Sequence, residues 1–178
     1  MKNKEQFLDW FAGFVAGEGC FRIEKHGNKW FNCRLTILLR DDDLPILLKI
    51  QETLEMGVIS RERANYISQG RAMWAVTATD DILRLIDIFD THPLLAKKQR
   101  DYEIWKEAAL EINRGQQKRR GRGRYGPATY NRRYLDHLKQ KLSLIKVYEM
   151  SPIEELEIEG RQLELSFYKK EAQSEREG

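Results

Sequence analysis

Residues 11–19 constrain the fold of this chain more than any other segment, because they combine a glycine-spaced helical face with an acidic end. They read Phe-Ala-Gly-Phe-Val-Ala-Gly-Glu-Gly. Gly13 and Gly17 share one face of a helix, and their missing side chains let a second backbone approach closely. Glu18 places a carboxylate where this helix ends, and Gly19 lets the chain leave the helix. The segment therefore predicts a close-packing helix that terminates in an acid.

The size and composition of the chain indicate one globular domain with possible appendages. Of its 178 residues, 41% are hydrophobic and 10% aromatic, which is enough for a proper core. Its two cysteines, Cys20 and Cys33, belong to no Cys-x-x-Cys or Cys/His cluster, so neither a zinc site nor a disulfide framework is expected. The chain has neither a signal-peptide run nor the ~18 consecutive apolar residues of a membrane span. We expect a soluble protein of a reducing, intracellular compartment, without a membrane partner.

Positive charge is concentrated in one part of the chain. The net charge is only +3, yet residues 114–146 contain eleven Lys or Arg residues and a single acid, Asp136. Such a block indicates a surface that binds a polyanion, because each phosphate that a cation neutralises releases condensed counterions. The members that we predict to contact nucleic acid are Arg119, Arg120, Arg122 and Arg124. A solvated basic loop without a partner is the alternative interpretation.

The hydrophobic period changes along the chain and predicts an α+β fold. Residues 5–17 have helical spacing, whereas residues 20–40 alternate with a period of two around a turn at Gly27-Asn28. The later predicted elements are a helix begun by Asp41-Asp42-Asp43 and ended by Gly57, a hairpin of residues 58–66 and 71–78, helices from Thr79 to Phe89 and from Lys97 to Ile112, a basic loop at 115–128, and a helix from about Asn131 to Val147. The two hairpins predict a four-stranded antiparallel sheet with helices on one face.

The other face of this sheet is predicted to be polar. A strand ribbon with such a face can enter the major groove of DNA, where base edges present readable donors and acceptors. The candidate contacts on the first hairpin are Arg22, Glu24, His26, Trp30, Asn32, Arg34, Thr36 and Arg40. On the second hairpin, Arg71 joins one of two alternative groove-facing sets, either Arg61 with Arg63 or Ser60 with Glu62. An ordinary solvated sheet face would have a similar pattern with fewer arginines.

Residues 11–19 resemble the motif of the LAGLIDADG homing endonucleases, and the likeness extends beyond the motif. Members of that family also run into an alternating hairpin after the acid, begin a helix as Arg40 to Asp43 do, and carry a Pro-Leu-Leu-x-Lys-Lys segment like Pro93 to Lys98. The resemblance implies the order αββαββα with a four-stranded antiparallel DNA-binding sheet and extra C-terminal helices. The resemblance covers residues 8 to about 105 and says less about the region after 115. We expect an endonuclease core at 1–114, a basic loop and helix at 115–150 that extend the DNA contact, and an acidic, partly disordered tail at 151–178.

The resemblance also implies an active site shared by two motif helices. Two such helices side by side would bring two Glu18 carboxylates together, and adjacent carboxylates need a cation such as Mg2+ between them. The implied metal ligands are Glu18 and Gly17, with Mn2+ or Ca2+ as other ions for the same site and no small-molecule cofactor. One copy of the motif is present, so we predict a homodimer and a palindromic or pseudo-palindromic site in double-stranded DNA. The predicted dimer interface is Phe11, Ala12, Gly13, Val15, Ala16 and Gly17.

A lysine is the second catalytic group that the resemblance implies. In the family, a lysine after the helix that follows the second hairpin is thought to position or polarise the attacking water. Lys98 matches that position best and Lys97 is the competing choice, while a surface lysine at a helix start is the alternative for both. The family often has a polar residue, commonly Gln, at the end of the second strand. Arg40 or Asp41 occupies that region here, which leaves this water-positioning role unassigned.

These features together predict a site-specific, metal-dependent homing endonuclease, either encoded within a mobile intron or standing free. We expect it to act with DNA inside the cell, in a bacterial cytoplasm, a phage-infected cell or an organelle. The first alternative is a DNA- or RNA-binding protein of the same fold that has lost cleavage, such as an intron maturase or a regulator. The second alternative is a dimerisation domain without a nucleic-acid role, which the basic block of residues 114–146 disfavours.

Overall fold

Five α-helices and one four-stranded sheet make up the described part of the chain. The computed structural model describes residues 4–27, 30–62, 70–120 and 130–145, and of residues 118–120 it describes the backbone alone. The elements in chain order are α1 (Lys4–Glu18), β1 (Gly19–His26), β2 (Trp30–Arg40), a short 3-10 turn (Asp41–Asp43), α2 (Leu44–Leu54), β3 (Val58–Glu62), β4 (Arg71–Val76), α3 (Thr79–Thr91), α4 (Lys97–Arg120) and α5 (Arg132–Leu144). This order confirms the predicted αββαββα arrangement followed by extra helices.

The sheet has the strand order β1-β2-β4-β3, and all neighbouring strands are antiparallel. Burial alternates along the strands with the same period of two as the sequence, because every second residue of each long strand faces the helices. The side chains that β1, β2 and β4 bury on this side are Phe21, Ile23, Phe31, Cys33, Leu35, Ile37, Ala72, Trp74 and Val76. None of the helices in the described ranges has both the length and the apolar composition of a membrane span.

Aromatic side chains join α1, α3 and α4 to the buried face of the sheet. Phe11 of α1 stacks on Phe89 of α3 with ring centroids 5.7 Å apart, and it meets Trp74 of β4 edge-on at 5.9 Å. Phe21 of β1 lies 5.0 Å from Trp105 of α4. Each such pair contributes roughly 0.5–1.5 kcal/mol beyond the area that it buries. These contacts hold α1 against β4 and α3, and they hold β1 against α4.

A polar contact between α3 and α4 adds to this packing. The hydroxyl of Tyr102 donates to Asp90 at 2.6 Å, and the ammonium of Lys106 lies 2.6 Å from the same carboxylate. Partial burial acts to raise the pKa of Asp90, but the hydrogen bonds from Lys106 and Tyr102 outweigh it and lower that pKa. Burial and the neighbouring carboxylate raise the pKa of Tyr102. Tyr102 and Lys106 therefore anchor the N-terminal half of α4 to α3.

The link between α2 and β3 differs from the prediction and depends on two left-handed residues. Helix α2 ends at Leu54 rather than at Gly57, and Glu55 caps it with φ of 52°. Gly57 follows with φ of 79°, and a Cβ there would lie 2.5 Å from Nε1 of Trp74. That nitrogen donates to the carbonyl of Met56 at 3.0 Å. Only glycine fits this position without displacing the buried indole.

Gly57→Ala is expected to lower the free energy of unfolding by about 2 kcal/mol or more, because the new side chain is strained at positive φ and collides with Trp74. Urea unfolding followed by tryptophan fluorescence measures this loss. Glu55→Gly is the matched control, since it places glycine at a left-handed position and should be neutral or stabilising by up to about 1 kcal/mol. Equal stabilities of the two variants would contradict this account of the link.

Helix α4 continues beyond its predicted end at Ile112 and runs to Arg120. Residues 115–120 were expected to begin the basic loop. Gly115 does not interrupt the helix, because its backbone packs against Tyr130, where a Cβ would lie 2.7 Å from the Cβ of that tyrosine. The Gln, Lys and Arg residues that follow are good helix formers. The remainder of the expected loop at 121–129 and the predicted tail at 151–178 lie outside the described residues.

Helix α5 packs against α4 and β1. Its N-terminus is capped by Asn131, whose side-chain oxygen accepts from the backbone N–H of Tyr134 at 3.1 Å. Leu135, Leu138 and Leu142 form its buried side, as their helical spacing predicted. An ion pair of 2.7 Å joins Lys25 of β1 to Asp136. The basic helix α5 is thus held beside the first hairpin.

Candidate functional site

Glu18 is the last residue of α1, and its side chain is exposed where the helix passes directly into β1. Gly19 begins β1 and pairs with Ile37 of β2. A Cβ on Gly19 would lie 2.6 Å from the carbonyl oxygen of Val15, so glycine allows the strand to begin at once. The last carbonyls of a helix carry partial negative charge, and α1 has no basic residue in its final turn. This junction therefore attracts cations.

Lys98 approaches the same junction from the first turn of α4. Its Nζ donates a hydrogen bond to the carbonyl oxygen of Gly19 at 2.7 Å and lies 3.8 Å from a carboxylate oxygen of Asp101. The Lys98 side chain is 20% exposed. Lys97, the competing candidate, is an exposed residue at the start of α4. Of the two predicted lysines, the fold brings Lys98 to the Glu18–Gly19 junction.

The oxygen donors at this junction suit a hard divalent cation, but one chain supplies only part of a site. The carboxylate of Glu18 and the carbonyl of Gly17 are oxygen ligands of the kind that Mg2+ and Ca2+ take. Among the described residues, no group of three or more His, Cys, Asp or Glu side chains could hold a metal ion. A complete site at Glu18 therefore needs donors in addition to those that the described residues of one chain provide.

Helix α1 exposes its glycines on the surface. Gly13 and Gly17 are exposed, and a Cβ at either position would meet nothing within 4 Å. Ala16 is half-buried beside them. Three of the predicted dimer-interface residues are instead buried in the chain's own core, where large side chains of α1 pack on the sheet: Phe11, Ala12 and Val15. The predicted interface is therefore reduced to the strip of Gly13, Ala16 and Gly17.

The sheet face away from the core, here called the outer face, carries most of the predicted nucleic-acid contacts. The register aligns them in cross-strand pairs: His26 with Trp30, Glu24 with Asn32, Arg22 with Arg34, and Arg40 with Arg71. Thr36 lies on the same face but is only 4% exposed, because it occupies the middle strand between Cys20 and Ala75. The predicted direct contact of Thr36 with DNA is therefore wrong for the chain as folded.

A connected polar network occupies the outer face near the tip of the first hairpin. The imidazole of His26 stacks on the indole of Trp30 with centroids 3.8 Å apart, and its Nε2 lies 2.8 Å from Oδ1 of Asn32. Asn32 donates to Glu24 at 3.2 Å, and Glu24 lies 3.7 Å from the guanidinium of Arg34. Among the described residues, Nε of Arg34 is buried without a hydrogen-bond partner. The hairpin thus presents donors, acceptors and an aromatic surface that are already held in place.

The second hairpin resolves the two registers that the sequence left open. Ile59 pairs with buried Trp74, so Ser60 and Glu62 project onto the outer face while Arg61 belongs to the opposite side. A shift of one residue would reverse this assignment. Arg61 instead pairs with Asp41 at 2.7 Å, and this hydrogen-bonded contact raises the pKa of Arg61. The predicted groove-facing role of Arg61 is therefore wrong.

Two of the arginines on the outer face are exposed: Arg40, which pairs with Asp42 at 2.9 Å, and Arg71. The other predicted arginine contacts cannot be placed. Arg63, Arg122 and Arg124 lie outside the described residues, and the side chains of Arg119 and Arg120 are not described.

Apolar residues on the outer face were not among the predicted contacts. Leu38, Val58 and Met73 lie there by register. The alternation that placed Arg34 and Arg40 on this face also includes position 38, so the signal was present in the sequence.

Comparison with known protein families and sequences agrees with this geometry. The family model described as LAGLIDADG endonuclease matches residues 11–109. The chain is 34% identical over 115 residues to a probable intron-encoded endonuclease, Cox1-I1b, of Schizosaccharomyces pombe, covering 61% of this chain and 28% of that protein. It is 28% identical over 108 residues to probable intron-encoded endonuclease 4 of Neurospora crassa, covering 61% and 18%. The chain therefore spans less than a third of the length of these relatives.

Solved structures share the fold. The LAGLIDADG meganuclease I-AabMI bound to uncleaved DNA matches with a TM-score of 0.54 and 26% identity, over 61% of this chain and 38% of that chain. The homing endonuclease I-TnaI gives 0.54 and 18%, over 76% and 97%. The archaeal intron-encoded homing endonuclease I-Vdi141I, complexed with DNA, gives 0.55 and 14%, over 82% and 100%. At these low identities, the last two matches show the fold alone.

Proposed function

Because the chain belongs to the LAGLIDADG endonuclease family, we propose that it is a site-specific homing endonuclease that hydrolyses double-stranded DNA with the help of a divalent metal ion. The observation that carries this proposal is the Glu18–Gly19 junction. There an exposed carboxylate, the carbonyls of a helix end and the ammonium of Lys98 come together. The name of the Schizosaccharomyces pombe relative, a probable intron-encoded endonuclease, supports the same activity and an origin in an intron. The present chain would act on DNA inside the cell.

A second copy of the chain would complete this site. Gly13 and Gly17 leave the backbone of α1 uncovered, and small residues at such spacing allow two helices to touch. A two-fold axis along this contact would bring two Glu18 carboxylates to one place and would match a palindromic or pseudo-palindromic target. The incomplete donor set of the described residues supports this arrangement.

The oxygen donors of the junction fit a bound Mg2+ ion once a second chain adds its own donors. Glu18 and the carbonyl of Gly17 would hold it, and Mn2+ or Ca2+ could occupy the same oxygen ligands. When bound, the metal ion would supply Lewis-acid chemistry, namely activation of the attacking water and stabilisation of the leaving oxygen. The ammonium of Lys98 stays at the junction through the carbonyl of Gly19, where it can orient a water or neutralise a nearby phosphate. Because Lys98 is mostly buried, its charge is screened less than that of an exposed lysine.

Binding to DNA would use the outer face and the basic block of residues 114–146. Base edges in the major groove would meet the network of Glu24, His26, Trp30, Asn32 and Arg34, together with Arg22. Phosphates would be contacted by the block, including the arginines for which no side chain is described, and by Arg40 and Arg71. Helix α5 supports this extension, because it is held against the first hairpin by the ion pair of Lys25 and Asp136.

Lys98→Met is expected to reduce single-turnover cleavage about a hundredfold, the loss typical of removing one positioned donor from an active site. Binding of the target duplex should change little, since one cation among many is removed. Lys97→Met is the matched control, because it removes the same charge one residue away and should retain cleavage within about twofold. If the two variants lost equal activity, the assignment of Lys98 would be wrong.

Replacing Arg119, Arg120, Arg122 and Arg124 together with Ala is expected to flatten the salt dependence of DNA binding. The slope of log K against log salt should fall in magnitude by about 0.9 for each phosphate that the variant no longer neutralises. Fluorescence anisotropy over a range of KCl concentrations measures this slope. Lys49→Ala, on the exposed side of α2, is a single-site control that should leave the slope unchanged. An unchanged slope in the quadruple variant would exclude these arginines from the phosphate contacts.

The direct test of the proposed function is cleavage of a duplex that the protein itself selects. The chain is incubated with a randomised duplex library, and the bound sequences are cloned and exposed to the protein with Mg2+, with Mn2+ or with EDTA. We expect a double-strand break at a defined position with Mg2+ and no break with EDTA. Tight, sequence-specific binding without cleavage by either metal would contradict the nuclease activity and favour a binding protein of the same fold.

A further inference from the structure

An apolar band crosses the middle of the outer face. Leu38 of β2 pairs with Met73 of β4, and in the adjacent row Ala75 of β4 pairs with Val58 of β3. Leu38 is 49% exposed and Val58 is 70% exposed, while Met73 and Ala75 are half-buried. These four residues are called the apolar band. Their exposure is unusual because they lie within a face whose other long side chains are charged or polar.

Arginines flank the apolar band at both ends. Arg34 lies beyond it toward the tip of the first hairpin, and Arg40 and Arg71 form a pair at the other end. Nη2 of Arg34 lies 3.8 Å from the sulfur of Met73, which joins the polar network to the band. A surface of this kind suits a ligand that has phosphates along its edges and apolar groups in its centre. The major groove of DNA has that chemistry, because the thymine 5-methyl group lies among the base edges between two phosphate backbones.

On the basis of the proposed function, we infer that the apolar band recognises thymine through its 5-methyl group. Rows on one face of a sheet are about 6.6 Å apart, so two rows span about two base-pair steps of DNA. Gly19 pairs with Ile37, which places Leu38 beside the end of α1 and therefore close to Glu18. The thymine preference therefore covers one to three adjacent positions at the end of each half-site nearest the cleavage position.

Substitution of uracil for thymine tests this inference, because uracil lacks only the 5-methyl group. A duplex selected by the full chain is resynthesised with deoxyuridine at one thymine at a time, and the dissociation constant of each duplex is measured. We expect binding to weaken about fourfold at the positions read by the band, the factor for burying one methyl-sized group, and to stay unchanged elsewhere. In Leu38→Ala, the same duplexes should bind with nearly equal affinity.

Leu48→Ala provides the matched control. Leu48 is 48% exposed, close to the 49% of Leu38, but it lies on α2 rather than on the outer face, so this variant should keep the uracil penalty. Met73→Ala tests the band independently if Leu38→Ala fails to fold, and the uracil series on the unchanged chain needs no variant.

Three results would count against the inference. Equal affinity for thymine and uracil at every position overturns it while leaving DNA cleavage intact. A change of oligomeric state in Leu38→Ala, with the uracil penalty retained, also overturns it, because the band would then contact protein. Failure of the unchanged chain to select any duplex overturns the proposed function itself.

Discussion

Replacing Glu18 with Gln is expected to lower the rate of Mg2+-dependent double-strand cleavage about a thousandfold. A bound metal ion contributes several kcal/mol of transition-state stabilisation, and each 1.36 kcal/mol corresponds to about a tenfold change in rate. A neutral amide cannot balance the charge of the cation as the carboxylate does. Because Glu18 is exposed at the end of α1, the substitution should leave the fold intact. Affinity for the target should be unchanged or higher, since a carboxylate near phosphates has been removed. Single-turnover cleavage and anisotropy on the same duplex measure the two quantities.

Glu52→Gln is the matched control for this experiment. Glu52 is a carboxylate that is 74% exposed and pairs with Lys49 on α2. Its replacement should leave the cleavage rate within about twofold, because an exposed ion pair contributes little. Cleavage by Glu18→Gln at a rate near that of the unchanged chain would exclude Glu18 from the chemistry.

Gly13→Leu is expected to convert a dimer into a monomer without unfolding the chain. Within one chain the new side chain meets open space, and replacing a helical glycine favours the helix by roughly 0.5–1 kcal/mol. Between two chains it would separate helices that need to touch. Overpacking costs about 1–3 kcal/mol at each site, and two copies meet across the axis, so the dimer should weaken about a hundredfold. Sedimentation over a range of concentrations measures the assembly, and circular dichroism measures the retained helix.

Lys49→Leu is the control for adding a leucine to an exposed helix, and it should leave the assembly unchanged. Cleavage by Gly13→Leu should fall together with the dimer fraction and recover at high protein concentration. A Gly13→Leu variant that dimerises and cleaves like the unchanged chain would show that α1 does not form the contact. If Gly13→Leu both stabilises the single chain and weakens the dimer, the result identifies Gly13 as an exposed glycine at the interface between two chains.

Much of the fold follows from hydrophobic periodicity. The period of two in residues 20–40 predicted the first hairpin, and Phe21, Ile23, Leu35 and Ile37 are buried as the alternation requires. The position of Glu18 at the end of a helix also followed from local sequence, because Gly19 permits an immediate change of backbone direction. The contact between Lys98 and Gly19 joins residues 79 positions apart in sequence and depends on the packing of α4, so a local pattern could not predict it and only the family resemblance pointed to Lys98.

The predictions for the three buried residues of the dimer interface, for Arg61 and for the end of α4 were wrong because each depends on tertiary packing or strand register, which a local sequence pattern does not contain. Helix α1 is apolar on more than one side, and its tertiary packing, including that of Phe11 on Trp74 and Phe89, decides which side is buried. Register decided the role of Arg61, since a shift of one residue reverses the face of every side chain. Gly115 resembled a helix end, but its packing against Tyr130 overrides the low helix propensity of glycine.

The claim that two Glu18 carboxylates from two chains form one active site is tested most directly by mixing subunits. The unchanged chain and Glu18→Gln are unfolded together in equal amounts, refolded, and assayed for double-strand breaks with the target duplex in excess. If both carboxylates are needed, random pairing leaves about a quarter of the dimers competent, and the yield of double-strand breaks falls to about a quarter of that of the unchanged protein. A fall to only about half would mean that each chain cuts independently, which contradicts a shared active site.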